Sequence, residues 1–344
     1  MGVTVILPAH NEAEIIKDSI QSVLNQTYWD IDIICCLDNC SDNTEKIIIN
    51  NFDDNYDVKI FKSVNNKDKK AGALNQLFNY YFENMNDYVL VMDADTVLHR
   101  KAIEEGVKFL ARNYETGAVC SMAGLIEPKN KNLLWYLQNI EYGFGDTSFI
   151  ENQGNVFVCR GMYSMYRKIA LENVIKKRNT VYNVDSITED YDLTLVLKQL
   201  GYKLNTSNRI KAFTDTPTTF KEFFIQRKRW IKGGAADLIR HGYKKYTSLD
   251  INKMLFYFLL MLFQLIFAIE AIKVHNLDLV WLVAIIVVYY INTGIRSKYV
   301  KNKDWKMYLI LFSMIPMCLY SLLNNILYIY GTALALLKIK IEWR

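Results

Sequence analysis

Two carboxylates, Asp93 and Asp95, follow the apolar run Tyr88-Val89-Leu90-Val91-Met92 with only Ala94 between them. On extended backbone, residues two apart project the same way. Such a pair suits a hard divalent cation that keeps positions open for the oxygens of a diphosphate. Alone, the same pattern serves equally well as a solvated loop. Five further polar clusters surround it in order. Pro8-Ala9-His10-Asn11-Glu12 ends the run Val3 to Leu7, and Asp38-Asn39-Cys40-Ser41-Asp42-Asn43-Thr44 ends the run Ile31 to Leu37. Lys70-Ala71-Gly72-Ala73-Leu74-Asn75 follows Val58 to Lys62 and opens a helix. Thr188-Glu189-Asp190 and Gln226-Arg227-Lys228-Arg229-Trp230 come farther on.

The elements that position these clusters are legible as alternating patterns over residues 1–215. Short apolar runs near 3–7, 32–37, 58–62, 88–92 and 117–122 predict strands, and amphipathic stretches near 12–25, 42–51, 71–84 and 100–112 predict helices. That alternation predicts an open α/β sheet, mostly parallel, with helices on both faces. In such sheets ligands bind beyond the carboxyl ends of the strands, where the polar clusters fall.

Taken together over residues 3–230, these motifs resemble those of family 2 glycosyltransferases of the membrane-bound, processive-synthase type. That group includes cellulose, chitin and hyaluronan synthases, and it carries an early Asp, D-x-D, T-E-D and Q-x-x-R-W. The resemblance implies a GT-A-like (Rossmann-like) domain followed by an interfacial helix and C-terminal transmembrane helices. It also implies a UDP-sugar donor, Mg²⁺ or Mn²⁺ as cofactor, and a growing polysaccharide or membrane-linked saccharide as acceptor. Asp38 can accept the imide N–H of uracil, with the backbone of Pro8-Ala9 and with Asn11 and Glu12 forming the other wall. Ser41 and Asp42 are explained as well by capping the next helix. Lys70 resembles the lysine of the family's K-A-G segment facing the nucleotide. The family pattern implies that Asp95 touches the metal and Asp93 the nucleotide side.

Inversion at the anomeric carbon needs a base on the face opposite the diphosphate, and Asp190 is the candidate general base. Glu189 beside it can raise its pKa. Both acids also suit a helix N-terminus. The resemblance implies that Arg229 reaches the diphosphate and that Trp230, with Gln226 nearby, offers a face to the acceptor sugar. Without the family, Phe220 to His241 reads as an interfacial amphipathic helix. Arg160, in Cys159-Arg160-Gly161, occupies the place of the family's acceptor-side loop. Single addition to a lipid acceptor and a catalytically silent membrane scaffold are the alternative functions.

The chain has 344 residues, 51% of them hydrophobic and 22% charged, and it becomes too apolar beyond about residue 250 for one soluble domain. The predicted division is a catalytic domain over 1–215, an amphipathic segment over 216–250 and a membrane region over 251–344. Apolar runs cover Met254 to Ile272, Leu277 to Ile295 and Met307 to Leu337, against the roughly 20 residues a spanning helix needs. The third run contains Pro316 and Asn324-Asn325, so it predicts a long kinked helix or a hairpin of two short segments, giving three or four membrane segments. Lys244, Lys245, Lys253, Arg296, Lys298, Lys301, Lys303 and Lys306 flank the runs and predict a cytoplasmic catalytic domain. Lys338 and Lys340 favour a cytoplasmic C-terminus.

Met1-Gly2 leads straight into the first strand, so no signal peptide is expected. The net charge of +5 is modest, and its placement suits membrane lipids rather than nucleic acid. Six cysteines without C-x-x-C spacing predict reduced thiols, and three N-x-S/T matches are expected to be chance. Three or four spans make a narrow channel at best. Homo-oligomerisation is left open by the sequence.

Overall fold

Polar residues close every apolar run in the first half of the chain, and the strands end where those residues begin. The computed structural model describes all residues except 54, 56, 152–155, 275–278 and 340–344. Its elements in chain order are β1 (Val3–Ala9), α1 (Ile16–Leu24), β2 (Ile31–Leu37), α2 (Thr44–Phe52), β3 (Val58–Lys62), α3 (Lys69–Tyr81), β4 (Tyr88–Val91), β5 (Thr96–Leu98), α4 (Ala102–Arg112) and β6 (Thr116–Leu125). They continue with α5 (Leu133–Glu151), β7 (Ser164–Arg167), α6 (Lys168–Arg178), α7 (Glu189–Gln199), β8 (Lys203–Thr214), α8 (Phe220–His241), α9 (Ser248–Val274), α10 (Leu279–Arg296), α11 (Trp305–Ser313) and α12 (Ile315–Leu336). The chain forms two compact units, one of Met1–Ile126 with Ser148–Asp215 and one of Glu127–Thr147 with Thr216–Arg344.

The first unit is built on one eight-stranded sheet in the order β3-β2-β1-β4-β7-β6-β8-β5. Strands β3, β2, β1 and β4 run parallel, with Val3 opposite both Ile31 and Tyr88. β1 and β4 are buried along nearly their whole length and lack polar alternation, as expected for parallel strands covered on both faces. The other half is mixed. β7 is antiparallel to both β4 and β6, β8 is parallel to β6, and β5 is antiparallel to β8. On one side of the sheet, Leu74, Leu77 and Phe78 of α3 share a buried cluster with Leu193 and Leu197 of α7 and with Ile6 and Val89.

The Asp93-Ala94-Asp95 pair does not lie on extended backbone. β4 ends at Val91, and Thr96 N–H donates to the Asp93 carbonyl at 3.1 Å. The two carboxylates therefore sit on a tight turn between β4 and β5.

In the second unit, Leu134 and Leu137 of α5 pack with Phe223 of α8 and with Tyr320 and Leu327 of α12. This packing joins residues 127–147 to the C-terminal helices, although they fall inside the 1–215 segment of the sequence reading. α8 begins with a capping box in which the Thr219 side chain accepts from Glu222 N–H and Glu222 reaches back to Thr219 N–H. The third apolar run breaks at Met314, which has φ +65°. The nine residues of α11 are too short to span a bilayer, whereas the 22 of α12 reach about 33 Å. The run is thus a short helix followed by one of spanning length, and Asn324 and Asn325 lie within α12.

Among the described residues, α12 is the helix that is long and apolar enough to cross a membrane. Leu277 and Lys340 lie outside the described residues. Lys301, one of the basic residues between the second and third runs, is held by α5. Its ammonium lies 3.5 Å from the buried Asp146, and its carbonyl accepts Asn139 Nδ2 at 2.6 Å. All six cysteines are free.

Candidate active site

The loops after β1 and β2 each turn on an asparagine with left-handed backbone, Asn11 at φ +59° and Asn39 at φ +48°, a conformation asparagine adopts more readily than most residues. Asn11 Oδ1 accepts the N–H groups of Ser41 at 2.7 Å and Asp42 at 3.3 Å, so the two loops hold each other. Asp42 in turn accepts the N–H and hydroxyl of Thr44, the first residue of α2. Capping therefore accounts for Asp42 and leaves Asp38 unexplained.

Asp38 is buried, and its N–H donates to the Ala9 carbonyl at 2.9 Å. Its Oδ1 accepts from Asn39 Nδ2 (2.9 Å), Ser63 Oγ (2.8 Å) and Asn66 Nδ2 (2.7 Å). Its Oδ2 makes no hydrogen bond to a described residue. Three donors thus fix the carboxylate while one oxygen stays available to a ligand donor. Pro8 and Ala9 end β1 beside it, and Glu12 N–H donates to the Thr44 hydroxyl.

A second cluster gathers residues from α3, the β4–β5 turn, the loop before β7 and the start of α7. Lys70 Nζ lies 2.5 Å from Asp93 Oδ1 and 3.1 Å from Glu189 Oε1. Burial alone would depress the lysine's pKa, but Asp93 and Glu189 more than offset it and hold the ammonium well above the ordinary range. Asp190 follows Glu189 in the first turn of α7. Its Oδ2 accepts Gly161 N–H at 3.2 Å and its Oδ1 accepts Tyr191 N–H at 2.8 Å. Burial, then Glu189, pushes the Asp190 carboxyl upward, with Lys70 opposing.

The loop Cys159-Arg160-Gly161 joins the two carboxylate groups. Asp93 N–H donates to the Gly161 carbonyl at 3.0 Å, while Gly161 N–H holds Asp190. The Arg160 carbonyl accepts the Ser164 hydroxyl at 2.8 Å and so ties the loop to β7. A Cβ at Gly161 would stand 2.7 Å from Asp93 Oδ2. Gly161→Ala is therefore expected to push the Asp93 carboxylate aside and, on the expectation of a metal and a UDP-sugar at Asp93 and Asp95, to weaken UDP binding in Mn²⁺ about tenfold, leaving the melting temperature nearly unchanged. A UDP titration with and without Mn²⁺ measures it.

Asp95 Oδ1 accepts from the Thr214 hydroxyl at 3.3 Å, and Asp215 N–H donates to the Asp95 carbonyl at 3.3 Å. Burial, then the like charges of Asp93 and Glu12, raises the Asp95 carboxyl; Lys70 offsets this in part and Asp215 adds to it. A divalent cation suits this place, because it would relieve a surplus of negative charge and finds hard oxygen donors. Among the described residues, no group of three or more His, Cys, Asp or Glu side chains could hold an ion alone.

Several positioning residues escaped the sequence reading. Asn75, the last residue of the Lys70-Ala71-Gly72-Ala73-Leu74-Asn75 run, donates to the Tyr182 carbonyl at 2.8 Å and accepts Tyr182 N–H at 2.9 Å. It thereby fixes the strap leading to Glu189-Asp190. Ser63 and Asn66 carried no pattern at all. Gln226, Arg229 and Trp230 lie on α8 of the second unit, each half-buried. The residue of that motif that is buried is Arg227, which the Q-x-x-R-W spacing passes over.

A family model described as glycosyl transferase family 2 matches residues 4–175. A poly-beta-1,6-N-acetyl-D-glucosamine synthase of Staphylococcus epidermidis is 30% identical over 263 residues, which is 75% of this chain and 60% of that protein. The synthase of the same name from Staphylococcus aureus (strain COL) is 30% identical over 243 residues, 70% of this chain and 56% of its own. The chain thus spans at most three fifths of the length of these curated relatives. Among solved structures, the mannosyltransferase PcManGT from Pyrobaculum calidifontis, in complex with GDP-Man and Mn²⁺, aligns with a TM-score of 0.59 at 16% identity. The alignment covers 98% of this chain and 88% of that one, and it shows a shared GT-A fold.

Proposed function

The chain belongs to glycosyl transferase family 2, and on that premise we propose that it is a membrane-integrated, inverting glycosyltransferase that extends an N-acetylglucosamine polymer from a UDP-sugar. One observation carries the reading. Asp93 and Asp190 are tied to the same glycine, Gly161, and Lys70 bridges Asp93 to Glu189, so a donor-side acid and a base candidate share one rigid frame.

In this reading Asp38 Oδ2 accepts the uracil imide N–H, and Asn11 with Glu12 lines the opposite wall. Lys70 faces the diphosphate, and Arg229 is the cation that the family motif assigns to it. Asp95, with Asp93, would hold Mg²⁺ or Mn²⁺, which when bound neutralises the charge of the departing diphosphate. The acceptor hydroxyl attacks the anomeric carbon, the bond to the diphosphate breaks, and the hydroxyl proton passes to Asp190. The hydrogen bonds from Gly161 and Tyr191 hold that carboxylate in one orientation. Trp230 offers its indole face to the acceptor saccharide, with Gln226 and Arg160 on the acceptor side. Basic residues beside the apolar runs support a cytoplasmic catalytic domain in this reading.

Purified full chain in detergent, supplied with Mn²⁺ or Mg²⁺ and a panel of UDP-sugars, tests the proposal. UDP release is expected to be fastest with UDP-N-acetylglucosamine, with a ladder of oligomers as product. A single lipid-soluble product would instead support one addition to a lipid, and no UDP release from any donor would leave a silent scaffold.

A further inference from the structure

We propose that Arg227 is a positioning residue for Trp230, setting the orientation of the acceptor platform from behind; this rests on the acceptor role given to Trp230 above. Arg227 is buried on α8, an unfavourable place for a permanent charge unless it is paired. Its Nη2 donates to Glu141 Oε2 of α5 at 2.7 Å, and the same oxygen accepts the Tyr320 hydroxyl of α12 at 2.5 Å. The centre of its guanidinium lies 4.7 Å from the Trp230 ring centroid and 4.9 Å from that of Phe223. Spacings of three and four residues put Phe223, Arg227 and Trp230 on one helix face.

Arg227 Nε is buried without a hydrogen-bond partner. A guanidinium serving only as a tie between helices would direct its donors at oxygens. This one meets Glu141 and Tyr320 and in addition lies against two aromatic rings, with Nε bonded to no oxygen. Arginine can do both at once because its cation is planar, whereas a lysine ammonium is a point charge that stacks poorly. The consequence for Trp230 is restricted side-chain rotation. A platform already held in one orientation loses less freedom when a sugar ring settles on it. Glu141 and Tyr320 act one step further back, by fixing the arginine.

The test uses full chain in detergent, UDP-N-acetylglucosamine as donor and an N-acetylglucosamine disaccharide as acceptor probe. Arg227→Met keeps the length of the side chain and removes the cation. It is expected to raise the acceptor KM about tenfold, within the range of a partly desolvated cation–π contact, with the donor KM and the background hydrolysis of the donor within about twofold. Glu141→Gln, which leaves the arginine in place but loosens it, should shift the acceptor KM the same way by a smaller factor; it carries the test if Arg227→Met does not fold. Combined with Trp230→Ala, Arg227→Met should add no further loss. Additive losses in the double variant, or equal losses of donor and acceptor affinity, would show that Arg227 acts only as a helix tie. An acceptor KM unchanged in Trp230→Ala would remove the platform role and this inference with it. A raised acceptor KM in Trp230→Ala beside an unchanged one in Arg227→Met and Glu141→Gln would remove this inference alone.

Discussion

Asp190→Asn is expected to lower turnover about 10²–10⁴-fold, the usual contribution of a placed general base, while UDP affinity stays near that of the parent chain. The substitution preserves shape. The asparagine oxygen can still accept one of the two backbone N–H groups, from Gly161 or Tyr191, that hold the aspartate. α7 stays docked through the fully buried Leu193, Leu195 and Leu197, none of which touches the carboxylate's chemistry. What is lost is the proton acceptor itself. UDP titration, a melting curve and single-turnover transfer separate the three quantities, and near-normal turnover would take Asp190 out of the mechanism.

The second large effect is at the donor side. Asp95→Ala is expected to cut transfer about 10²-fold or more, since positive charge on a leaving diphosphate stabilises the transition state by several kcal/mol. Mn²⁺ is expected to raise the UDP affinity of the parent chain, and Asp95→Ala should erase that gain. Asp95 is a cleaner probe than Asp93, because the Asp93 carboxylate also pairs with Lys70. Chelator should abolish activity of the parent chain, and full activity in excess chelator would end the case for a metal.

The strands β1, β2, β3, β4 and β6 could be read from the sequence because they are apolar runs closed by polar turns. The helix from Phe220 to His241 was equally plain, since its apolar and basic residues interleave at helical spacing. β8 was not legible. Its sequence, Lys203-Leu204-Asn205-Thr206-Ser207-Asn208-Arg209-Ile210-Lys211-Ala212-Phe213-Thr214, is polar and half exposed, and only its neighbours in the sheet make it a strand. β7 has four residues and β5 three, too few to show a period. α5 is apolar around much of its circumference, so it offers no single stripe to detect.

The candidate site divides in the same manner. Residues whose chemistry falls at a strand end, such as Asp38, Asp93 and Asp95, or at a helix start, such as Asp190, stood out by type and place. Residues that act through geometry did not. Gly161 matters because a methyl group would strike Asp93, Asn75 because it clamps Tyr182, and Arg227 because it lies against Trp230. The first two relations exist only once segments far apart in the chain are brought together, and the third is local to α8 but depends on Glu141 and Tyr320 from distant helices to pair the buried arginine.

The place of β8 in the sheet also fixes an order of assembly during synthesis. β5 follows Asp95 directly, yet its neighbour in the sheet is β8, with Thr96 opposite Thr214. At about 5–20 residues per second, the ribosome delivers β8 on the order of ten seconds after the turn that carries Asp93 and Asp95. Until then β5 is an unpaired strand, and pairing over so long a separation is intrinsically slow. A chain halted before residue 203 would hold the parallel half of the sheet and leave the far side of the Asp93–Asp95 turn unsupported. Residues 4–175, which suffice to identify the family, would on this account not suffice to build its site.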